Sequence, residues 1–239
     1  MAYKEFALDE STTVTIYKRR SSRSLRLSIA ADGKIRVSIP AWAPYRVGLE
    51  FAKSRRKWIH EQRKPSLILS DGQAIGKAHH LSFNPSTDTA TIRTRIKNSQ
   101  IIVTYPNDLD SNESDVQSAA HRACIRALRS QAGQLLPIRL KELADKHGFE
   151  YSSVTVKNMK SRWGSCDQRR NIVLNIYLVQ LPWDLIDYVL LHELTHTKIL
   201  KHGPVFWKAM AEVLPDVQQR RKMVLKHQPI LNHPLNPEL

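Results

Sequence analysis

The sequence has little of what marks exported or membrane-bound proteins. It contains two cysteines in 239 residues, Cys124 and Cys166, which are too few for a disulfide framework and fit a reducing compartment. No apolar run approaches the roughly 20 residues that a membrane-spanning helix needs. Residues 1–17 lack the basic segment, apolar core and small-residue cleavage site of a secretory signal. We therefore expect a soluble cytoplasmic protein with no membrane partner.

Acidic residues are also scarce. The 22 Asp and Glu residues face 37 Lys and Arg, which gives a net charge of +15. Residues 17–64 carry much of the excess, with fourteen basic against three acidic side chains. Such a field attracts polyanions, so nucleic acid or a nucleotide is a candidate partner of this basic N-terminal region. A solvated basic face that keeps the protein soluble would have the same composition.

The first 110 residues are patterned mainly as strands. Apolar and polar residues alternate over residues 12–39, and Asp32-Gly33 between two alternating runs is typical of a hairpin. Residues 67–105 alternate in the same way and predict further strands. Between them, residues 47–63 predict an amphipathic helix with a basic outer side. Its apolar side would carry Val47, Phe51, Trp58 and Ile59.

Residues 106–113 are polar and turn-rich, and they are the best candidate for a domain boundary. We therefore predict two domains. Residues 1–110 would form a β-rich N-terminal region with one basic amphipathic helix. Residues 111–239 would form the second domain, so the whole chain is predicted to have an α+β fold.

The second half is predicted to combine helices with two strands. A helix over residues 114–147 would end at Gly148, a residue that favours helix termini. Residues 151–156 and 171–179 have strand character, and we expect them to pair as a hairpin. Pro182 then begins a helix over residues 183–200.

This last helix contains the pattern HExxH as His192-Glu193-Leu194-Thr195-His196. Residues four apart lie about 40° apart around a helix and one turn along it, so His192 and His196 can reach one metal ion. Glu193 points one step further round and can reach a water on that ion. The helix is otherwise strongly apolar, and burying two histidines and a carboxylate there is costly unless a metal pairs with them. Hydrogen-bonded core histidines are the structural alternative.

A catalytic zinc needs a third protein ligand and an open fourth position. His202 is the first candidate, provided that the helix ends near Leu200 so that the chain can turn back. Gly203-Pro204 supplies the break, because proline suits the first turn of a following helix. Glu212 is the alternative ligand.

Several segments together resemble the YgjP-like metallopeptidases, a zincin group related to the SprT-like proteases. The resemblance extends to residues 19–40 and to Lys57-Trp58-Ile59, and so covers nearly the whole chain. Thr195 and Ile176-Tyr177 depart from the residues common in the family, which are a small apolar residue and Trp-Arg. The matching segments are residues 161–166 (SRWGSC), 171–175 (NIVLN), 186–189 (IDYV), 192–196 (HELTH) and 202–207 (HGPVFW).

The resemblance implies that residues 111–239 form a zincin-like, metal-binding catalytic domain with an active-site helix and a small sheet. It implies that His192, His196 and His202 bind Zn²⁺, that Glu193 is the catalytic acid and base, and that residues 162–166 lie beside the active site. Arg162 and Trp163 are then candidate substrate-binding residues, although they could equally be a packed pair with no such role. The strand over residues 171–179 is expected to align an extended peptide by edge pairing.

The sequence thus favours a zinc-dependent hydrolase, a metallopeptidase that uses a metal-activated water and a glutamate general base. Its substrate would be a peptide or protein. Arg162, Tyr177 and Tyr188 are candidates for an accessory donor. One alternative is a metal-dependent hydrolase of nucleotide phosphoanhydrides, which basic charge near the site would favour. Another is a nucleic-acid-binding module with a structural zinc, but such a site needs no general base like Glu193.

Overall fold

A computed structural model of the protein describes residues 3–9, 12–20, 22–29, 35–56, 58–59 and 68–231. The chain divides into two compact units, Met1–Ile68 and Leu69–Leu239. This division precedes the predicted one at residues 110/111, because the strands between Leu69 and Pro106 pack on the helix that follows them. The α+β class predicted from the sequence is confirmed.

The first unit is a four-stranded sheet with one helix packed on it. The strand order is β1-β2-β4-β3, in which β2 and β4 are parallel and the outer pairs are antiparallel. The β3–β4 pair confirms the predicted hairpin, although its Asp32-Gly33 turn lies outside the described residues. The elements are β1 (Tyr3–Asp9), β2 (Thr12–Arg19), β3 (Arg26–Ile29), β4 (Ile35–Pro40) and α1 (Tyr45–Ser54).

Helix α1 contacts the sheet through its smallest residues, Gly48 and Ala52, both of which are buried. A Cβ atom at Gly48 would lie 2.8 Å from Ile16 Cγ2, so the absence of a side chain lets the helix approach the sheet closely. The predicted apolar side is therefore wrong in part, because Val47 and Trp58 are exposed. Residues 60–63 of the predicted helix lie outside the described residues.

The second unit begins with another four-stranded sheet, as the sequence predicted. Its order, β5-β6-β8-β7, repeats the arrangement of the first sheet, with a central parallel pair and antiparallel outer pairs. Helix α2 (Ser114–His147) follows and packs against this sheet, and its bounds are those predicted. Gly148 ends it with a left-handed backbone (φ 65°). The strands are β5 (Ala74–Ile75), β6 (His79–Ser86), β7 (Arg93–Lys97) and β8 (Gln100–Pro106).

A three-stranded sheet comes next, in the order β10-β11-β9. Its strands are β9 (Ser153–Lys157), β10 (Gly164–Cys166) and β11 (Asn171–Asn175). The hairpin predicted between the strands β9 and β11 is wrong, because these two strands are parallel. The observed hairpin joins β10 to β11. Asp167 stabilises that turn by accepting hydrogen bonds from the backbone of Arg169 and Asn171. Since β11 is central, its edges are not available to a peptide.

The predicted strand over residues 171–179 also ends early, because Ile176–Gln180 forms a 3₁₀ helix capped by Asn175. Three helices complete the described chain: α3 (Trp183–His196), α4 (Pro204–Val213) and α5 (Val217–Val224). Helix α3 packs on β10 and is tied to α2 by an ion pair in which Arg139 binds Asp187 at 2.7 Å. Among the described residues, no helix is long and apolar enough to span a membrane.

Two glycine substitutions should have opposite effects on stability. Gly133→Ala, on an exposed face of α2 with nothing within 4 Å of the new Cβ, should stabilise the second unit by about 0.5–1 kcal/mol. Gly48→Ala adds the same helix propensity but presses on Ile16, and should destabilise the first unit by about 1–3 kcal/mol. Hydrogen exchange followed by mass spectrometry would report each unit separately. Equal shifts of the same sign would contradict the close approach of α1.

Candidate metal centre

Three histidine side chains converge at the end of α3. His192 and His196 lie one turn apart, the helix ends at His196, and residues 197–203 turn the chain so that His202 returns to them. The Nε2 atom of His196 lies 3.2 Å from that of His192 and 3.1 Å from that of His202. The remaining pair is 2.9 Å apart. The helix thus ends four residues earlier than predicted, and His202 rather than the exposed Glu212 joins the cluster.

The ring of Phe206 forms a common support for the three imidazoles. Its centroid lies 4.9 Å from His192, 4.6 Å from His196 and 4.9 Å from His202, and the side chain is fully buried. Pro204 occupies the first turn of α4, as the sequence predicted, and this starts the helix that carries Phe206. The contact therefore explains how a break after α3 brings His202 towards the other two histidines.

One hydrogen bond orients the His196 ring so that its Nε2 atom faces the other two histidines. His196 Nδ1 donates to the carbonyl of Ile199 at 3.0 Å, which places the ring proton on Nδ1 and leaves Nε2 as an acceptor. His192 Nδ1 is buried and has no hydrogen-bond partner among the described residues. Burial lowers the pKa of His192 to about 3, and burial also lowers the pKa of His196. Both shifts favour the neutral ring, which is the form that binds metals.

The donor set fits a metal ion. Nitrogen ligands of a tetrahedral zinc lie about 3.3 Å apart, given metal–nitrogen distances of about 2.0–2.1 Å, and the three Nε2 atoms are nearly at that spacing. The three Nε2 atoms converge on one point, where a metal ion would accept a lone pair from each of them. The arrangement could hold one metal ion through His192, His196 and His202.

Glu193 is buried beside this cluster, on the side that faces β10. A Cβ atom at Gly164 would lie 2.6 Å from its Oε1 atom, so the carboxyl group packs directly against the Gly164 backbone. Burial raises the pKa of Glu193 to about 8, and the positive charge of Arg162 opposes this shift. The site thus combines a cluster of three histidines with a desolvated carboxyl group.

Asn175 holds the loop that approaches Glu193. Its side-chain NH₂ donates to the carbonyls of Met159 and Arg162, both at 2.8 Å, and its oxygen accepts from the backbone of Tyr177. The side chain is fully buried. The sequence analysis assigned no role to Asn175, and it placed Gly164 only within residues 162–166, the segment that the resemblance puts beside the active site. No spacing rule predicts the direct contact of Gly164 with Glu193, which only the fold brings about.

The two candidate substrate-binding residues lie next to each other but in different environments. Arg162 is exposed, and its charge acts on Glu193. Trp163 is half-buried and packs against the core of the second unit. Neither belongs to the histidine cluster.

The residues that depart from the family pattern are accommodated in the core. Thr195 donates its hydroxyl to the carbonyl of Leu191 at 2.8 Å and lies 3.1 Å from the sulfur of Met210, so its polar group is satisfied. Ile176 and Tyr177 are both buried. Tyr177 is one of the donors proposed for the reaction, but its hydroxyl is engaged with Asn158.

The close contact of Gly164 with Glu193 can be tested by a substitution that adds one methyl group at position 164. Gly164→Ala should displace the carboxyl group, since the new Cβ would overlap Oε1, and should destabilise the second unit by about 1–3 kcal/mol. Ser165→Ala, at the next position in β10, is the control. Thermal unfolding and a crystal structure of the variant would measure both effects. A variant as stable as wild type, with Glu193 unmoved, would contradict this packing.

Comparison with known proteins identifies the family. The model of the YgjP-like metallopeptidase domain matches residues 23–228. Among solved structures, the metallopeptidase zymogen abylysin of Pyrococcus abyssi is 20% identical, with a TM-score of 0.36 over 38% of this chain and 93% of its own. The zymogen jannalysin of Methanocaldococcus jannaschii is 22% identical, with a TM-score of 0.35 over 38% and 94%. No curated protein matches the chain.

The family match covers most of the chain and includes every residue of the site described above. It confirms the resemblance predicted from the sequence. A metallopeptidase requires a metal ion, and the histidine cluster could bind one. The protein therefore belongs to the YgjP-like metallopeptidase family.

Proposed function

We propose that the protein is a zinc-dependent metallopeptidase in which His192, His196 and His202 bind the metal and Glu193 is the general base. The observation that carries this proposal is the meeting of three imidazole Nε2 atoms within 3.2 Å beside a buried carboxyl group. A structural site would fill all four metal positions with protein ligands, whereas this one offers three. We assign the catalytic role to Leu69–Leu239, the unit that contains all four residues.

Zinc is the metal that this donor set favours. Three imidazole ligands suit zinc better than the oxygen-preferring Mg²⁺ or Ca²⁺. When bound, zinc would polarise the scissile carbonyl and make water acidic enough to react near neutral pH.

Glu193 would move the protons of the reaction. It lies one residue beyond His192 on α3, and its packing against Gly164 fixes the carboxyl group near the metal ligands. From there it would accept a proton from the attacking water and return it to the leaving amine. The resulting bond changes are the addition of water across the amide and the release of an amine and a carboxylic acid.

Strand β10 is the edge that would align the substrate. Trp163 accepts a hydrogen bond from the Asn175 backbone, and Asp167 donates one to Asn171, so alternate residues of β10 face β11. Gly164 and Cys166, which lie between them, therefore direct their backbone groups to the open edge. An extended peptide paired there would pass beside Glu193, and the exposed Arg162 and the neighbouring Trp163 would contact its side chains.

Metal binding tests the ligand assignment. We expect about one zinc per chain in wild type, by inductively coupled plasma mass spectrometry after dialysis. His202→Ala should lose most of this metal, since two imidazoles remain, whereas His227→Ala and Glu212→Gln should retain it. Full zinc content in His202→Ala would remove His202 from the ligand set, and loss in Glu212→Gln would assign the third ligand there.

Activity tests the role of Glu193. Glu193→Gln should keep its zinc but cleave an unfolded protein such as reduced casein at least about 100-fold more slowly, because the base is lost while the side-chain shape remains. Glu212→Gln is the matched control for removing one carboxylate. Equal activity of Glu193→Gln and wild type would disprove the catalytic assignment.

The basic N-terminal region is the reason for two additions to this activity assay. Nucleoside triphosphates are tested as substrates, and DNA is added as a candidate partner, because residues 17–64 would attract both. Triphosphate hydrolysis that depends on Glu193, without cleavage of protein, would replace the peptidase proposal with a nucleotide hydrolase.

A further inference from the structure

A cavity of about 330 Å³ opens directly beside the histidine cluster. Two of the cluster residues, His192 and His202, form part of its wall, and Tyr188, Trp207 and Arg221 form much of the rest. Pockets for whole ligands are usually about 300–1,000 Å³, so a space at the small end suits one side chain or one terminal residue. Because the cavity lies against the proposed metal ligands, it would also lie next to a peptide bond that is cleaved at the metal.

Arg221 gives this cavity its chemical character. It lies on α5, and its guanidinium carbon is 4.4 Å from the centroid of the Trp207 ring, a cation–π contact. Trp207 is in turn stacked on His202, with ring centroids 6.0 Å apart and an interplanar angle of 26°. The guanidinium is therefore held at the cavity by a chain of ring contacts that leads back to the proposed metal.

Arg220, the residue before Arg221 on α5, has a guanidinium group that is paired within the protein. Arg220 binds Asp216 at 2.7 Å and the carbonyl of Asp184 at 2.7 Å. Arg221, by contrast, forms no ion pair within the part of the chain that the structure describes, and the cavity wall contains no acidic residue. An exposed guanidinium that is stacked on an aromatic ring keeps its donor edges available for a planar oxyanion.

We propose that this cavity is a substrate subsite that selects a carboxylate, with Arg221 binding the charge and Trp207 packing on the carbon atoms next to it. The inference rests on the proposed peptidase function and names its substrate class: peptides with an acidic side chain or a free terminal carboxylate next to the scissile bond. Val224 and Leu225 line the same cavity and would cover the methylene groups of such a residue. Because Arg221 is already held by Trp207, little side-chain entropy is lost when the carboxylate binds.

Equilibrium binding tests this subsite without turnover. Zinc-loaded Glu193→Gln protein is titrated by calorimetry with a hexapeptide of Ala, Gly and Gln that is blocked at both ends. Six further peptides carry one Glu at each position in turn, and another has a free carboxyl terminus. We expect the best carboxylate peptide to bind about fivefold more tightly than the blocked parent. A gain from an internal Glu identifies a side-chain subsite, and a gain from the free terminus identifies a terminal one.

Three variants assign the preference to Arg221. In the Glu193→Gln background, Arg221→Gln should abolish it, Arg221→Lys should retain part of it, and Lys222→Gln should leave it unchanged. Lys222 is the matched control, because it is an exposed cation one residue further along α5. Equal binding of all peptides, or a preference that survives Arg221→Gln, would overturn the inference.

Cleavage by the wild-type enzyme is measured separately on the same peptides. If no peptide is cleaved but the preference for carboxylate depends on Arg221, the subsite stands and the peptidase proposal fails. If peptides are cleaved with no such preference, the peptidase proposal stands and the subsite is disproved.

Discussion

The second unit depends on burying two imidazoles and a carboxyl group in an otherwise apolar helix. Helix α3 is buried along most of its length. Polar groups placed there are removed from water, so other parts of the protein must provide the contacts that water would otherwise make. Phe206 meets the three rings from one side, the Ile199 carbonyl orients one of them, and the backbone of Gly164 meets Glu193. A bound metal would complete this set, since the three Nε2 atoms converge on one point.

Longer-range contacts hold α3 in the position that these groups need. Arg139 on α2 binds Asp187 near the start of α3, and Arg220 on α5 reaches the backbone of Asp184. Asn175 ties the loop before β10 to the end of β11. The active-site helix is thus fixed from α2, α5 and the small sheet, which allows the histidine and glutamate side chains to keep one geometry.

Charge is arranged unevenly around this site. Two exposed cations flank the site: Arg162, in the loop before β10 on the side of Glu193, and Arg221, on α5 beside Trp207. A peptide carries amide carbonyls along its length and carboxylates at its end and on acidic side chains, so the proposed peptide substrate would be favoured in one orientation. The more strongly basic residues 17–64 belong to the other unit.

The sequence by itself determined the features that depend on local spacing. Residues four apart on one helix placed His192 and His196 together, Gly148 ended α2 and Pro204 began α4, because helix periodicity and the backbone limits of glycine and proline act within a few residues. The tertiary structure alone decided which strands meet. It made β9 parallel to β11 and left β10 at the edge, placed Gly164 against Glu193, and turned the small residues of α1 towards its sheet. These outcomes depend on volumes and hydrogen-bond partners far apart in the chain, and neither hydrophobic periodicity nor turn residues encode them.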